Sequence, residues 1–254
     1  MSESKCALIL LGAGGSARMH GPKQLLPWKN ESNLLEHACQ TCLASQAVWN
    51  IFVLGANIEN ILQVSPWLKD GVFQTTCKID CIEKNKRFSL AVNKNWVSGM
   101  ASSLKVGLEK LINLFPQEDT LDSLAVCLAD LPLLKAETIN NIIKVGDNLS
   151  RKERRHTIIV PTWQGKRGHP VIFGRDFWPE LRLLNGDRGG GTVLKKYPQR
   201  CLFYETTGPE IFTDCDTWSA YVDCCRQENL CISSSENAGN DKIQGSFNWY
   251  SRGR

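Results

Sequence analysis

No run of apolar residues in the 254-residue chain approaches the roughly 18–20 positions that a membrane-spanning helix requires. The opening segment MSESKCALILLGAGG has no long apolar core followed by a small-residue cleavage site, so it does not read as an export signal. These absences give the expectation of a cytoplasmic protein without membrane contact. An excess of charge is missing as well. Thirty basic against 26 acidic residues leave a formal charge of +4, too small to call for nucleic acid or an anionic surface, although a local basic pocket would suffice for a small anion. No internal repeat of useful period is visible.

Metal-binding patterns are also incomplete. Among the 11 cysteines, Cys39 and Cys42 are three apart, Cys77 and Cys81 four apart, and Cys224 and Cys225 adjacent. No second C-x-x-C and no paired histidines complete a zinc site. Cys6, Cys77, Cys81, Cys127 and Cys201 fall in strand-like runs, where a thiol behaves as a small buried hydrophobe. A reducing compartment would leave them as free thiols. The eight tryptophans are dispersed and read as packing or surface residues rather than base-stacking platforms.

What is present is an ordinary globular composition, 42% hydrophobic and 22% charged, enough to bury a sizeable core in one domain over residues 1–230. The polar stretch 231–254, beginning CISSSENAGN, reads as a loosely ordered tail. Apolar strands are expected near 6–13, 50–55, 77–83, 123–129, 157–162 and 201–205. Helical spacing marks 33–45, 103–115, 136–149 and 217–227, with Asn33 or Ser32 and Thr217 near helix starts. The alternation predicts an α/β fold, a three-layer Rossmann-like, mainly parallel sheet with helices on both faces. The segment KRGHPVIFG, 166–174, reads as a turn entering a short extra strand and the start of a small substrate-facing insertion. The basic run Arg151 to Arg155 reads as a solvated linker.

Chemistry concentrates where the first strand ends, in LILLGAGGSARMHGPKQLLPW, residues 8–28. Glycines let backbone N–H groups close on an anion, and Arg18 and Lys23 add full positive charge. Leu11, Gly12, Ala13, Gly14, Gly15 and Ser16, with Arg18 and Lys23, are therefore the candidate phosphate and nucleotide contacts. Gly12, Gly14 and Ala17 also fit the G-x-G-x-x-G/A turn of dinucleotide-binding enzymes. That reading needs an acidic residue closing the second strand, and NIFVLGAN at 50–57 has none. Gly21-Pro22 would in addition break the required helix. Nor is the segment a P-loop, because it lacks an adjoining G-K-[ST].

LGAGGSARMHGPKQLLPW resembles the N-terminal signature A-A-G-x-S-x-R-[MF]-G-x-x-K-x-L-L-P of the MobA-like nucleotidyltransferases, specifically the MocA branch of molybdenum cofactor cytidylyltransferases and relatives. Gly14-Gly15 replaces a more usual single glycine, and His20 follows Met19 where glycine is common. GMASSLKVG at 99–107 resembles the family's G-M-x-x-S-L-x-x-G segment, LADLPL at 128–133 its G-D-x-P motif with Ala129 for glycine, and RGHPVIF with LNGDRGG its G-H-P-V-x-F and L-x-G-D-x-G elements. Asp214-Cys215-Asp216-Thr217 resembles D-I-D-T-P-E-D without the P-E-D. The resemblance covers about two-thirds of the chain and implies a nucleotidyltransferase fold, transfer of CMP from CTP to the terminal phosphate of a molybdopterin-type acceptor, and release of pyrophosphate. It further implies catalytic Arg18, Lys23 and Asp130; nucleotide contacts at Ser102 and Ser103; Mg²⁺ on Asp130 with Asp214 or Asp216; and acceptor contacts at Arg167, Gly168, His169, Asp187 and Arg188. A molybdenum hydroxylase is a possible recipient of the product. GTP or another phosphorylated acceptor, a Rossmann oxidoreductase and a non-catalytic cofactor-delivery protein remain as alternatives.

Overall fold

The computed structural model describes residues 5–19, 21–29, 32–71, 87–117 and 120–230. Its first strand, β1 (Cys6–Leu11), is buried at every position, which is why its sequence CALILL is continuously apolar rather than alternating. Ala7, Ile9 and Leu11 enter the core on one side of the sheet, while Cys6, Leu8 and Leu10 enter the core on the other.

Around it run α1 (Leu34–Leu43), β2 (Asn50–Leu54), α2 (Ile58–Val64), β3 (Phe88–Val92), α3 (Met100–Leu114), β4 (Ser123–Leu128), α4 (Ala136–Asp147), α5 (Arg151–Arg155), β5 (Ile158–Trp163), β6 (Lys166–Arg167), β7 (Val171–Gly174), α6 (Trp178–Leu183), α7 (Gly191–Lys196), β8 (Cys201–Glu205) and α8 (Trp218–Gln227). One sheet of eight strands results, in the order β3-β2-β1-β4-β7-β5-β6, with β8 paired to β5. The pairs β1–β2, β2–β3, β1–β4 and β5–β8 are parallel. β7 is antiparallel to both β4 and β5, so β4 and β5 run in the same direction. The carboxyl ends of β1, β4, β5 and β8 therefore share one rim, the edge at which open α/β sheets take ligands.

Helices α3, α6 and α7 cover one face, and α1, α2 and α4 the other. A third cluster joins α8, through Tyr221, Cys224 and Cys225, to Met19, Leu26 and Trp28 of the first loop. The chain's last described helix thus packs against its first turn. Asn33 and Thr217 cap α1 and α8, accepting from the backbone N–H groups of Glu36 and Ala220.

Among the described residues a strand that was not expected, FSLAV, occupies 88–92; the run expected as a strand at 77–83, with Cys77 and Cys81, lies outside the described residues, as does 231–254. The segment 166–174 holds the expected short strand, β7 (Val171–Gly174), which lies inside the sheet. Gln164 and Gly165, both at positive φ (51° and 76°), turn a β5–β6 hairpin, and the chain then enters the sheet as β7 between β4 and β5.

The basic run 151–155 is a helix rather than a solvated linker. Ser150 and Glu153 form a reciprocal capping box at its start. Arg151 and Arg155 reach the fully buried Asp122 at 3.0 and 3.5 Å, and Arg154, itself buried, lies 3.8 Å away. The described cysteines are unbridged and mostly buried, and burial pushes the Cys6 thiol up to about 12. No helix among the described residues is long and apolar enough to cross a membrane.

Candidate active site

The rim carries a cavity of about 330 Å³ whose walls include Leu11 to Gly15, Lys23, Gln24, Ser103, Asp130 and Asp187. Its floor is the loop leaving β1. The amide of Gly12 donates to Val53 and the carbonyl of Ala13 accepts from Ala56, which ties the loop to β2. Gln24 fixes the rest. Its buried side-chain amide donates to the carbonyls of Gly12 (3.2 Å) and Gly14 (2.6 Å) and accepts from the Ser16 hydroxyl (3.1 Å).

Because C=O and the following N–H point in opposite directions across a trans peptide, holding those two carbonyls turns the amides of Ala13 and Gly15 away from Gln24. Among the described residues the amides of Gly14, Gly15 and Ser16 donate to no protein acceptor. These are the features of an anion-binding turn. Ser16, at φ 55°, uses its hydroxyl to accept from the Lys23 amide and to bond Gln24. It shapes the loop. Gln24 itself was not among the sequence candidates; a polar residue embedded in PKQLLPW was the available signal. Gln24→Leu strands two carbonyls and is expected to cost about 1–3 kcal/mol in urea unfolding and to weaken nucleotide binding. Unchanged stability would show that the amide does not hold the loop.

Charge gathers at one end of the cavity. Lys23 Nζ donates to Asp130 Oδ2 at 2.7 Å and to Asp216 Oδ1 at 2.5 Å, and Arg18 pairs with the other oxygen of Asp216. The backbone joins these partners too, since the Cys215 amide donates to the Asp130 carbonyl. Burial alone would lower the Lys23 ammonium, but Asp130 and Asp216 outweigh it and raise the group above the usual lysine value. Burial would likewise raise Asp216, and Lys23 and Arg18 reverse that, holding it below the usual carboxylate range. Asp214 is raised, by burial and then by the neighbouring Asp216 and Asp130.

The structure therefore assembles Arg18, Lys23, Asp130 and Asp216, with Asp214 adjacent but unpaired with either cation in this cluster. Among the described residues there is no ready cluster of three or more His, Cys, Asp and Glu ligands. Asp130 Oδ1 is buried and has no hydrogen-bond partner among the described residues.

At the other end, α3 begins at Met100, three residues before the predicted start, so Ser102 and Ser103 sit within its first turn rather than capping it. Gly99 explains the early start. Its φ is 94°, and a Cβ there would lie 2.4 Å from Asp187 Oδ1 and 2.5 Å from the backbone of Gly186. Only glycine allows the 184–190 segment to close on this turn, and the Ala101 amide donates to the Gly186 carbonyl. Asn93 donates to both serine hydroxyls, at 2.8 and 2.9 Å. Ser102 donates onward to backbone carbonyls of Asn95 and Gly99, while Ser103 reaches the cavity wall.

The acceptor candidates divide. Asp187 lines the cavity and Arg188 is exposed beside it in sequence, whereas Arg167, Gly168 and His169 lie outside the cavity lining, toward β5. Arg167 stacks over Phe203, 5.4 Å from its centroid. Gly168 is pressed against Ile211.

His169 is anchored, its amide donating to Ile211 and Nδ1 lying 3.1 Å from the Val126 carbonyl; that geometry requires the proton on Nδ1. Burial lowers this ring below the usual histidine value, against the opposing pull of the Val126 carbonyl and Asp130, and burial lowers His37 as well. Both rings stay neutral in the folded state at pH values where the unfolded chain binds protons. Stability is therefore expected to fall as pH drops from about 7 through the unfolded value of about 6.5 toward the lowered folded values. Thermal melts at pH 7 and 5 measure this slope, and His169→Asn is expected to flatten it. An unaltered slope in that variant would contradict the assignment.

The sequence profile of the MobA-like NTP transferase domain matches residues 8–201. No curated protein matches the chain. Solved structures share the architecture. A homologue of the Mycobacterium tuberculosis protein Rv0371c from Mycobacterium sp. strain JC1 superposes with a TM-score of 0.67 at 21% identity, over 89% of this chain and 98% of its own. Rv0371c of M. tuberculosis H37Rv in complex with manganese gives 0.58 at 22% identity, over 86% and 97%. Molybdopterin-guanine dinucleotide biosynthesis protein A from Archaeoglobus fulgidus gives 0.56 at 12% identity, over 87% and 99%. The eight-stranded, mostly parallel sheet between helical layers is the nucleotidyltransferase fold, and the dinucleotide-oxidoreductase alternative falls away. The chain belongs to the MobA-like NTP transferase family and is a nucleotidyltransferase of that type.

Proposed function

We propose that the protein transfers CMP from CTP to the terminal phosphate of a molybdopterin-type acceptor, with release of pyrophosphate. The observation that carries the transfer chemistry is the juxtaposition of unpaired loop amides with Arg18, Lys23, Asp130 and Asp216 at one rim. Two phosphates repel, so the site must above all neutralise charge and hold them in line. A phosphate monoester, with a second pKa of about 6, is already largely ionised at neutral pH and needs no activating base. The described side chains match that demand.

Lys23 and Arg18 would take the charge that develops on the α-phosphate and the departing pyrophosphate. The loop amides would orient the triphosphate, and Ser103 with Asp187 would border the nucleoside. Asp130 and Asp216, with Asp214 beside them, would hold a divalent cation such as Mg²⁺. An all-oxygen donor set with one buried, unpartnered carboxylate oxygen fits a hard cation. When bound, that cation supplies charge neutralisation along the phosphates.

Arg167, Gly168, His169 and Arg188 would face the acceptor along the rim toward β5 and β8. The choice of CTP and a pterin rests on the PKQLLPW and RGHPVIF segments, which resemble the MocA branch. Delivery to a molybdenum hydroxylase and a cytoplasmic location belong to the same reading. Pyrophosphate release measured with CTP and GTP, with and without a molybdopterin acceptor and Mg²⁺, is expected to require CTP, acceptor and cation together. Exclusive use of GTP would overturn the cytidylyl assignment. Binding of the pterin without pyrophosphate release under any condition would replace the enzyme with a carrier.

A further inference from the structure

The cavity is chemically polarised. Lys23 and Asp130 stand at one end, and the other is closed by the single 3₁₀ turn Trp96–Ser98 that follows β3 and by the start of α3. Beside Ser103 and Asp187, that end presents apolar side chains. Val97 is 72% and Met100 41% exposed, so two of the few large hydrophobic side chains that the described fold leaves in solvent stand at the lip of this cavity. A cluster of exposed apolar groups at a concave site signals a ligand surface rather than incidental exposure.

Trp96 is the central member. A Cβ at Gly15 would lie 2.7 and 2.8 Å from two atoms of its six-membered ring, so the indole sits directly on the glycine loop. On its backbone side, a Cβ at Gly55 would lie 2.8 Å from the Trp96 Cβ. The Trp96 carbonyl accepts from the amide of Gly99, the residue that closes on Asp187. The ring thus lies on the anion-binding turn, and its backbone is tied to the residue that opens α3, so a planar group joined to phosphates on that loop would find an aromatic surface within reach.

We propose that Trp96, flanked by Val97, forms the wall against which the nucleobase packs, so that it is a binding residue for the base while the loop and Lys23 bind the phosphates. This rests on the nucleotidyltransferase reading above. Gly15 is then explained as well: any side chain there displaces the ring.

The test is calorimetric titration of the folded wild type, Trp96→Ala and Trp96→Phe with CTP and with inorganic tripolyphosphate, all in Mg²⁺. Loss of an aromatic packing surface is expected to weaken CTP about tenfold or more in Trp96→Ala, with tripolyphosphate affinity unchanged and Trp96→Phe close to wild type. Trp96→Leu serves if the alanine variant does not fold, since it keeps apolar bulk without an aromatic face and is expected to weaken CTP alone. Equal losses for CTP and tripolyphosphate, or unchanged CTP binding, would overturn the role of Trp96 while leaving the transfer reaction standing. Wild-type protein that binds neither ligand would overturn the nucleotide reading itself, and this inference with it.

Discussion

Asp130→Asn is expected to lower the rate of pyrophosphate release by about a hundredfold or more while the protein stays folded. The substitution preserves shape but removes the negative charge that faces Lys23, and charge contacts made in the transition state carry effects of this size. The unpartnered Oδ1 sharpens the expectation. A buried carboxylate oxygen without a donor is unfavourable in the free protein, and an arriving cation would relieve it. Turnover is read from pyrophosphate release and integrity from the melting temperature. Near-normal turnover in a folded variant would remove Asp130 from the catalytic group.

Lys23→Ala is expected to have two effects of opposite sign. Turnover is expected to fall by a similar factor, because a charge assigned to the phosphates is lost. Divalent-cation binding in the absence of nucleotide, in contrast, tightens. In the free protein the Lys23 ammonium bridges Asp130 and Asp216, the same carboxylates assigned to the cation. Its raised pKa keeps it charged throughout the neutral range, so it competes for them. Nucleotide would draw the ammonium toward phosphate and free both carboxylates. Water-proton relaxation in Mn²⁺ titrations without nucleotide measures the effect directly. Weaker or unchanged Mn²⁺ affinity in the variant would mean that Lys23 does not occupy the cation's ligands.

The parts of the fold that were legible in the sequence are those where burial leaves a plain pattern. β1 is covered on both faces and so reads as an uninterrupted apolar run. α1 and α8 carry side-chain caps at Asn33 and Thr217. Asp130 was legible because the end of an apolar strand is also the ligand edge of the sheet. β3 was not legible: FSLAV is short, has a buried Ser89 and an exposed Val92, and competes with the apolar and β-branched residues at 77–83. The 151–155 helix was masked by its charge, since the run of basic residues suggests solvent until Asp122 is known to be buried beneath it. Its signal, the S-x-x-E box at Ser150 and Glu153, was present.

Within the site, the residue types were readable but their pairing was not. D-C-D at 214–216 suggests two equivalent carboxylates, yet Asp216 takes both Lys23 and Arg18 while Asp214 takes neither. Trp96 looked like one of several dispersed packing tryptophans. Only the parallel register of β1, β2 and β3 brings the turn after β3 onto Gly15. Gln24 works through backbone carbonyls, and such contacts leave no spacing pattern in the chain.

The central claim is that the triphosphate and its cation meet between the glycine loop and Asp130. A crystal structure with a non-hydrolysable CTP analogue and Mn²⁺, the ion located by its anomalous scattering, tests this most directly. The expected result is phosphate oxygens against the amides of residues 14–16, Lys23 turned from Asp130 toward phosphate, and Mn²⁺ within ligand distance of Asp130. Nucleotide and ion found together in another crevice, with the Lys23–Asp130 pair intact, would contradict the account.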